Sequence, residues 1–188
     1  MSVALKAMGP DIVHKTEVGA VRLGLNGSMA VADAARDMAD RVRAAGLTLD
    51  GFLVQEMVEG GVEMLVGVAQ DPLFGPVIAC SAGGTAVELL RDVSVRVSPI
   101  TDLDADEMVR SLKTFPLLDG FRGAPKADVA ALEDVILRVS ALVEAHPSVA
   151  EMDCNPVMVL PHGAPIVDAR IRVQEAPPAK PLAARAAR

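Results

Sequence analysis

The sequence predicts an α+β domain in which strand pairs and helices are layered (α/β layering). Three observations carry this. Short apolar or alternating stretches are bounded by Gly, Pro, Asn and Asp, which is strand periodicity with turn punctuation. In Asp128–Ala145, by contrast, Val129, Leu132, Val135, Ile136, Val139, Leu142 and Val143 recur as one helical stripe. Strand pairs and helices follow one another without a regular β–α–β wind. No GxGxxG opens a helix and no GxxxxGK[ST] is present, so the dinucleotide fingerprint and the P-loop are both absent.

In chain order, Ser2–Met8 reads as a strand, followed by a polar loop and a second strand at Ala20–Leu25. Asn26-Gly27 marks a turn, and Ser28 is placed as the N-cap of a helix ending near Gly46. Strands at Gly51–Met57 and Val62–Gln70, joined by Gly60-Gly61, read as a hairpin. Pro76–Cys80 is a buried strand, Ser81–Thr85 a Gly-bearing loop, and Asp92–Val97 an alternating strand. Thr101 with Asp104 forms a capping box opening a helix to about Lys113. After the long helix, Ala150–Leu160 and Ala164–Val173 form strands around the turn Pro161-His162-Gly163. The tail, 174–188, is rich in Pro, Ala and Arg and reads as a disordered tail or linker.

Composition narrows the function. The 188 residues suit one domain, or one with two lobes, and 51% hydrophobic content supports a sizeable core. The apolar runs are too short to cross a bilayer, and the start is neither a signal nor a transit peptide. Cys80 and Cys154 sit in apolar stretches, as small buried hydrophobes of a reducing compartment do. A cytoplasmic protein with no membrane partner is expected. A net charge of -7 and only four aromatic residues, all Phe, argue against nucleic acid.

Asp153, Asn155 and Asp168 are polar residues within apolar strands. Asp153 and Asn155 are two apart and share a strand face, and Asp168 on the returning strand can lie opposite them. Two carboxylates and an amide oxygen make a hard-oxygen set suited to Mg²⁺, while an Asx turn at Asn155-Pro156 with exposed strand acids is the competing reading. Lys6 either snorkels from an apolar strand or aims a point charge at phosphate. Gly83-Gly84 either opens backbone N–H groups to an anion or forms a plain turn. Glu56 and Glu63 are acceptors at strand ends or solvated rim acids. His14 is a surface histidine or a phosphoryl acceptor. Arg96 and Arg122 are phosphate partners or structural ion pairs.

Taken in order, the motifs form one pattern. They are Leu5-Lys6, Ile12–Gly19, Val54-Gln55-Glu56-Met57, Glu63 with Val66-Gly67-Val68, Asp71–Val77, Gly83-Gly84, Asp92–Val97, Glu151–Pro156 and Val167–Arg170. Over about Val3–Val173 they resemble the ATP-grasp domain of ADP-forming (NDP-forming) acyl-CoA synthetases, relatives of succinyl-CoA synthetase. The resemblance implies an ATP-grasp fold with two lobes around the nucleotide, N-terminally truncated because the chain begins at the lysine strand. The domain would span 1–173, with a small-lobe remainder at about 1–50 and a large lobe at about 51–173. It also implies ATP/ADP and Mg²⁺ as cofactors and acid–thiol ligase activity, as part of a complete enzyme.

In that reading Lys6 contacts nucleotide phosphates. Gln55, Glu56 and Met57 form the adenine hinge, Glu63 meets the ribose, and Gly83 and Gly84 line the phosphate channel. Arg96 is a phosphate partner. Asp153, Asn155 and Asp168 hold Mg²⁺. His14 would relay a phosphoryl group from a first phosphohistidine on CoA-binding and ligase domains, in another chain or the rest of this one, with which this chain would assemble. The loop departs from His-Lys-Ser-Asp-x-Gly-Gly, reading His14-Lys15-Thr16-Glu17-Val18-Gly19-Ala20. The alternative is a non-catalytic nucleotide-binding module or an inactive fragment.

Overall fold

The computed structural model describes residues 1–12, 19–84 and 92–176. His14 and most of its loop, Thr85, and the tail from residue 177 lie outside the described residues. The chain divides into two compact units, Met1–Glu59 and Gly60–Arg188.

Among the described residues, the first unit is a three-stranded antiparallel sheet under one helix. Strand β1 (Ser2–Met8) is central, flanked by β2 (Val21–Asn26) and β3 (Gly51–Glu56). Helix α1 (Ser28–Ala44) buries Met38 and Val42 against Leu5 and Ala7. Ser28 does not cap this helix: Gly27, at φ 81°, occupies that place and no side chain caps the start. The Gly51–Met57/Val62–Gln70 hairpin does not form either. Strand β3 pairs with β1, from Val3↔Glu56 to Met8↔Gly51, and so belongs to the first unit.

The second unit is a five-stranded antiparallel sheet in the order β6-β5-β4-β7-β8. These strands are β4 (Val62–Asp71), β5 (Gly75–Ala82), β6 (Val93–Val97), β7 (Val149–Val159) and β8 (Ala169–Val173). One face is covered by helices. Met64, Val66, Val68, Ile78, Cys80, Met152, Cys154, Val157 and Val159 pack there against Met108, Val109, Leu132, Ile136, Val139 and Val143. The latter six come from α2 (Asp102–Arg110) and α4 (Val129–Ala145). Each fully buried aliphatic contributes about 2 kcal/mol. A short helix, α3 (Phe115–Leu118), lies between α2 and α4 in the chain.

The caps fix how the helices meet the sheet. Thr101 and Asp104 form the predicted capping box: the Asp104 N–H donates to Thr101 Oγ1 at 3.2 Å, and the Thr101 N–H to Asp104 Oδ2 at 2.8 Å. Asp128 caps α4 by accepting from the Ala131 N–H at 3.0 Å. It also accepts from the Gly163 N–H at 2.8 Å, which ties the helix start to the β7–β8 turn.

Strand β6 inverts the usual alternation. Val93, Val95 and Val97 are 54%, 45% and 46% exposed, while Ser94 is buried and pairs with Cys80 on the helix side. Among the described residues, no helix is long and apolar enough to cross a membrane.

Candidate metal and nucleotide site

On the second sheet, directly paired residues share a face. Leu65, Gly67 and Ala69 of β4 pair with Ser81, Ala79 and Val77 of β5, and Gly67 pairs with Asp153 of β7. These residues therefore occupy the face opposite the helices. Asp153 stands there half-buried, between Gly67 on one side and Arg170 on the other.

A β-bulge interrupts β7 just beyond Asp153. Met64 pairs with Val157 and Val66 with Cys154, so Asn155 and Pro156 together oppose the single residue Leu65. The buried positions accordingly step from Cys154 to Val157, three residues rather than two. On the other side, the Asn155 N–H donates to the Asp168 carbonyl at 3.0 Å, and the Val167 N–H to the Pro156 carbonyl at 2.9 Å. Asp168 is thus opposite Asn155, in the residue before β8. The returning segment is less regular than expected: residues 164–168 form only an isolated bridge, Val157↔Ile166. Asp153, Asn155 and Asp168 are brought together as the spacing predicts.

The electrostatics fit a cation. Burial raises the Asp153 carboxyl above its ordinary pKa range; Arg170 pulls it down and the neighbouring Asp168 pushes it up. An ionised Asp153 therefore carries a cost that a bound divalent cation would relieve. Among the described residues no three His, Cys, Asp or Glu side chains converge as a metal cage. Mg²⁺ here would rest on two carboxylates and the Asn155 amide oxygen, with water and phosphate oxygens completing its shell, which is how Mg²⁺ is usually held.

Glu63 lies four residues before Gly67 on β4, roughly 13 Å along the strand. The Gly83 N–H donates to the Glu63 carbonyl at 2.6 Å. A Cβ on Gly83 would stand 2.9 Å from the Glu63 Cβ and 3.0 Å from its carbonyl carbon, so only glycine fits. Gly84, at φ 82°, has the Glu63 carboxylate 3.6 Å from its would-be Cβ. Glu63, Gly83 and Gly84 form one cluster. Ser81 and Ala82, expected in the glycine loop, are the last residues of β5.

Arg96 is not brought to this face. It pairs with Ile78 on the helix side, and its guanidinium meets Glu107 of α2 at 3.4 Å. Of its two sequence readings, the structural ion pair is the one observed. Arg122 holds a left-handed backbone (φ 55°) with its guanidinium over the Phe121 ring at 5.3 Å.

In the first unit, Lys6 is buried on the face of β1 away from α1. Its strand neighbours there are Leu53 and, diagonally, Gln55. Glu56 pairs with Val3 and shares the α1 side, while the Met57 N–H donates to the Ser2 carbonyl at 3.1 Å. Any hinge at Gln55-Glu56-Met57 therefore offers main-chain groups rather than one row of side chains. His14 lies outside the described residues.

A family model for the ATP-grasp domain matches residues 1–173. The chain belongs to the ATP-grasp family. It is 45% identical over 175 residues to an ADP-forming acetate–CoA ligase of Archaeoglobus fulgidus, matching 92% of this chain but 25% of that protein. It is 37% identical over 171 residues to the beta subunit of an ADP-forming acetate–CoA ligase of Pyrococcus furiosus, covering 90% of this chain and 74% of the subunit. This ATP-grasp chain thus spans about a quarter of the first ligase and about three quarters of the separate subunit.

Its fold matches the dinucleotide-forming acetyl-coenzyme A synthetase 1 of Ca. Korarchaeum cryptofilum in complex with coenzyme A and Ca-AMPCP. The TM-score is 0.88 at 40% identity, covering 92% of this chain and 76% of that one. A second structure of that enzyme, with coenzyme A and Mg-AMPPCP, has a phosphohistidine segment pointing towards the nucleotide-binding site. It matches with a TM-score of 0.82 at 38% identity, covering 93% of this chain and 77% of that one.

Two residues to which the sequence pattern gives no role stand beside Asp153: Gly67 and Arg170. The signal for Arg170 is present in the sequence, because it lies two residues after Asp168 and so shares its strand face.

Proposed function

We propose that this chain is the nucleotide-binding part of an ADP-forming acyl-CoA synthetase, an acid–thiol ligase coupling ATP cleavage to thioester formation. The observation that carries the reading is the convergence of Asp153, Asn155 and Asp168 at the β7 bulge, on the sheet face opposite the described helices. The relatives' ADP-forming acetate–CoA ligase activity and the nucleotide analogues in the Korarchaeum structures support it.

Asp153, Asn155 and Asp168 would hold Mg²⁺, and Glu63 would accept from the ribose. The roughly 13 Å from Glu63 to the level of Asp153 leaves room for a phosphate chain along β4. Backbone N–H groups at Gly83-Gly84 and the Lys6 ammonium would meet phosphate oxygens. Gln55, Glu56 and Met57 would offer main-chain partners to adenine. When bound, Mg²⁺ would neutralise developing charge on the transferring phosphoryl group.

His14 would act by covalent relay. An imidazole nitrogen attacks the phosphorus of a phosphohistidine on CoA-binding domains or a CoA-binding subunit, and the donor's N–P bond breaks. A terminal ADP oxygen then attacks that phosphorus, the N–P bond to His14 breaks, and ATP leaves. Arg96 has no part in this reading.

The test is incubation with γ-labelled ATP and Mg²⁺. An acid-labile phosphoprotein is expected, and His14→Ala should abolish it. Label that persists in the variant refutes the relay. Mg·ADP binding without any labelling would favour a non-catalytic nucleotide-binding module.

A further inference from the structure

Two acid–arginine rungs stand side by side between β7 and β8, on the face opposite the described helices. In one, Glu151 faces Arg172 and accepts from its guanidinium at 2.6 Å. In the other, Asp153 faces Arg170. The chemistry is the same but the surroundings are not. Glu151 and Arg172 are both exposed, and the hydrogen bond from Arg172 lowers the Glu151 pKa, as in an ordinary surface pair. Asp153 is half-buried and close enough to Asp168 to feel its charge. Its neighbour on β4 is Gly67, which has no side chain to fill the adjoining sheet face.

Arg170 therefore projects beside the carboxylates assigned to the metal. A guanidinium has no lone pair to give a cation, so its role next to a metal site is toward an anion. Its planar fork matches phosphate oxygens.

We propose that Arg170 is a nucleotide-binding residue whose guanidinium donates to a terminal phosphate oxygen of the bound nucleoside diphosphate or triphosphate, beside Asp153 and Asp168. The proposal rests on the nucleotide-binding function of this face. Arg172, two residues on along the same strand face and beside the exposed Glu151, is the built-in control.

The test is calorimetric titration of the full chain with Mg·ADP, at two salt concentrations, for wild type, R170Q, R170K and R172Q, with a thermal unfolding curve of each unliganded protein. R170Q is expected to lose about tenfold in affinity and to bind with a weaker salt dependence, its unliganded midpoint unchanged. R170K should recover part of the loss, and R172Q should bind as wild type does. The assignment is overturned if R170Q binds like wild type, if R172Q loses as much, or if the loss tracks a lowered midpoint. Wild type failing to bind Mg·ADP would refute the nucleotide-binding function and this proposal together. Wild-type binding with an unaffected R170Q refutes only Arg170.

Discussion

The two faces of the five-stranded sheet treat charge in opposite ways. On the helix side, Asp92 is buried and satisfied: it accepts from the Lys113 N–H at 2.9 Å, the Thr114 N–H at 2.8 Å and the Thr114 hydroxyl at 2.6 Å. Against the upward push of burial, those donors hold its carboxyl below the ordinary range. On the other face, Asp153 is held above that range, chiefly by burial. An acid whose fold supplies its donors is structural. An acid left at a cost beside a second acid fits the cation site proposed above. The difference separates structure from function within one sheet, and substitutions on each face test it, from the largest expected effect to the smallest.

Asp168→Ala removes a proposed metal ligand and should weaken Mg·ADP binding on the order of a hundredfold, by calorimetry, without loss of fold. Asp92→Ala should do the reverse. It strands two main-chain donors and should cost about 2 kcal/mol, read as a lower urea midpoint at unchanged slope. Because the folded pKa of Asp92 is depressed, its contribution is full above the unfolded pKa and is lost as pH falls through the folded one. Gly83→Ala forces the Glu63 backbone to move and should cost about 1–2 kcal/mol, with weakened nucleotide binding.

Asp153→Asn has the opposite sign for stability. A raised folded pKa means the ionised form is penalised at neutral pH, so the unliganded variant should melt at or slightly above the wild-type midpoint. That advantage should shrink as pH falls and the wild-type carboxyl takes up its proton. Its Mg²⁺ dependence of nucleotide binding should be lost. Arg96→Gln, on the helix side, removes a partly exposed ion pair. It should change stability by less than about 0.5 kcal/mol and leave nucleotide binding unaltered.

Local periodicity made most elements legible. The apolar run of Ser2–Met8, the stripe of Val129–Ala145 and the Thr101 capping box all specify nearby backbone. Strand partnership did not follow from the same signals. Gly60-Gly61 reads as a hairpin turn, yet β3 returns to β1, and a Cβ on Gly61 would meet the Val159 carbonyl at 2.8 Å. On β6 the alternation marks a strand but does not say which face is inward; pairing with Cys80 and Ile78 puts Ser94 and Arg96 on the helix side. The juxtaposition of Asp153, Asn155 and Asp168 was legible because they are two apart or on the returning strand. The bulge that joins them is a property of pairing with β4, and sequence spacing alone does not contain it.

The most direct measurement compares the two faces in one assay. Calorimetric titration of Mg·ADP into Asp168→Ala and Arg96→Gln, beside wild type, should show binding weakened on the order of a hundredfold in the first and unchanged in the second. Retained binding in Asp168→Ala together with lost binding in Arg96→Gln would put the nucleotide on the helix side and contradict the assignment of the metal to the open face.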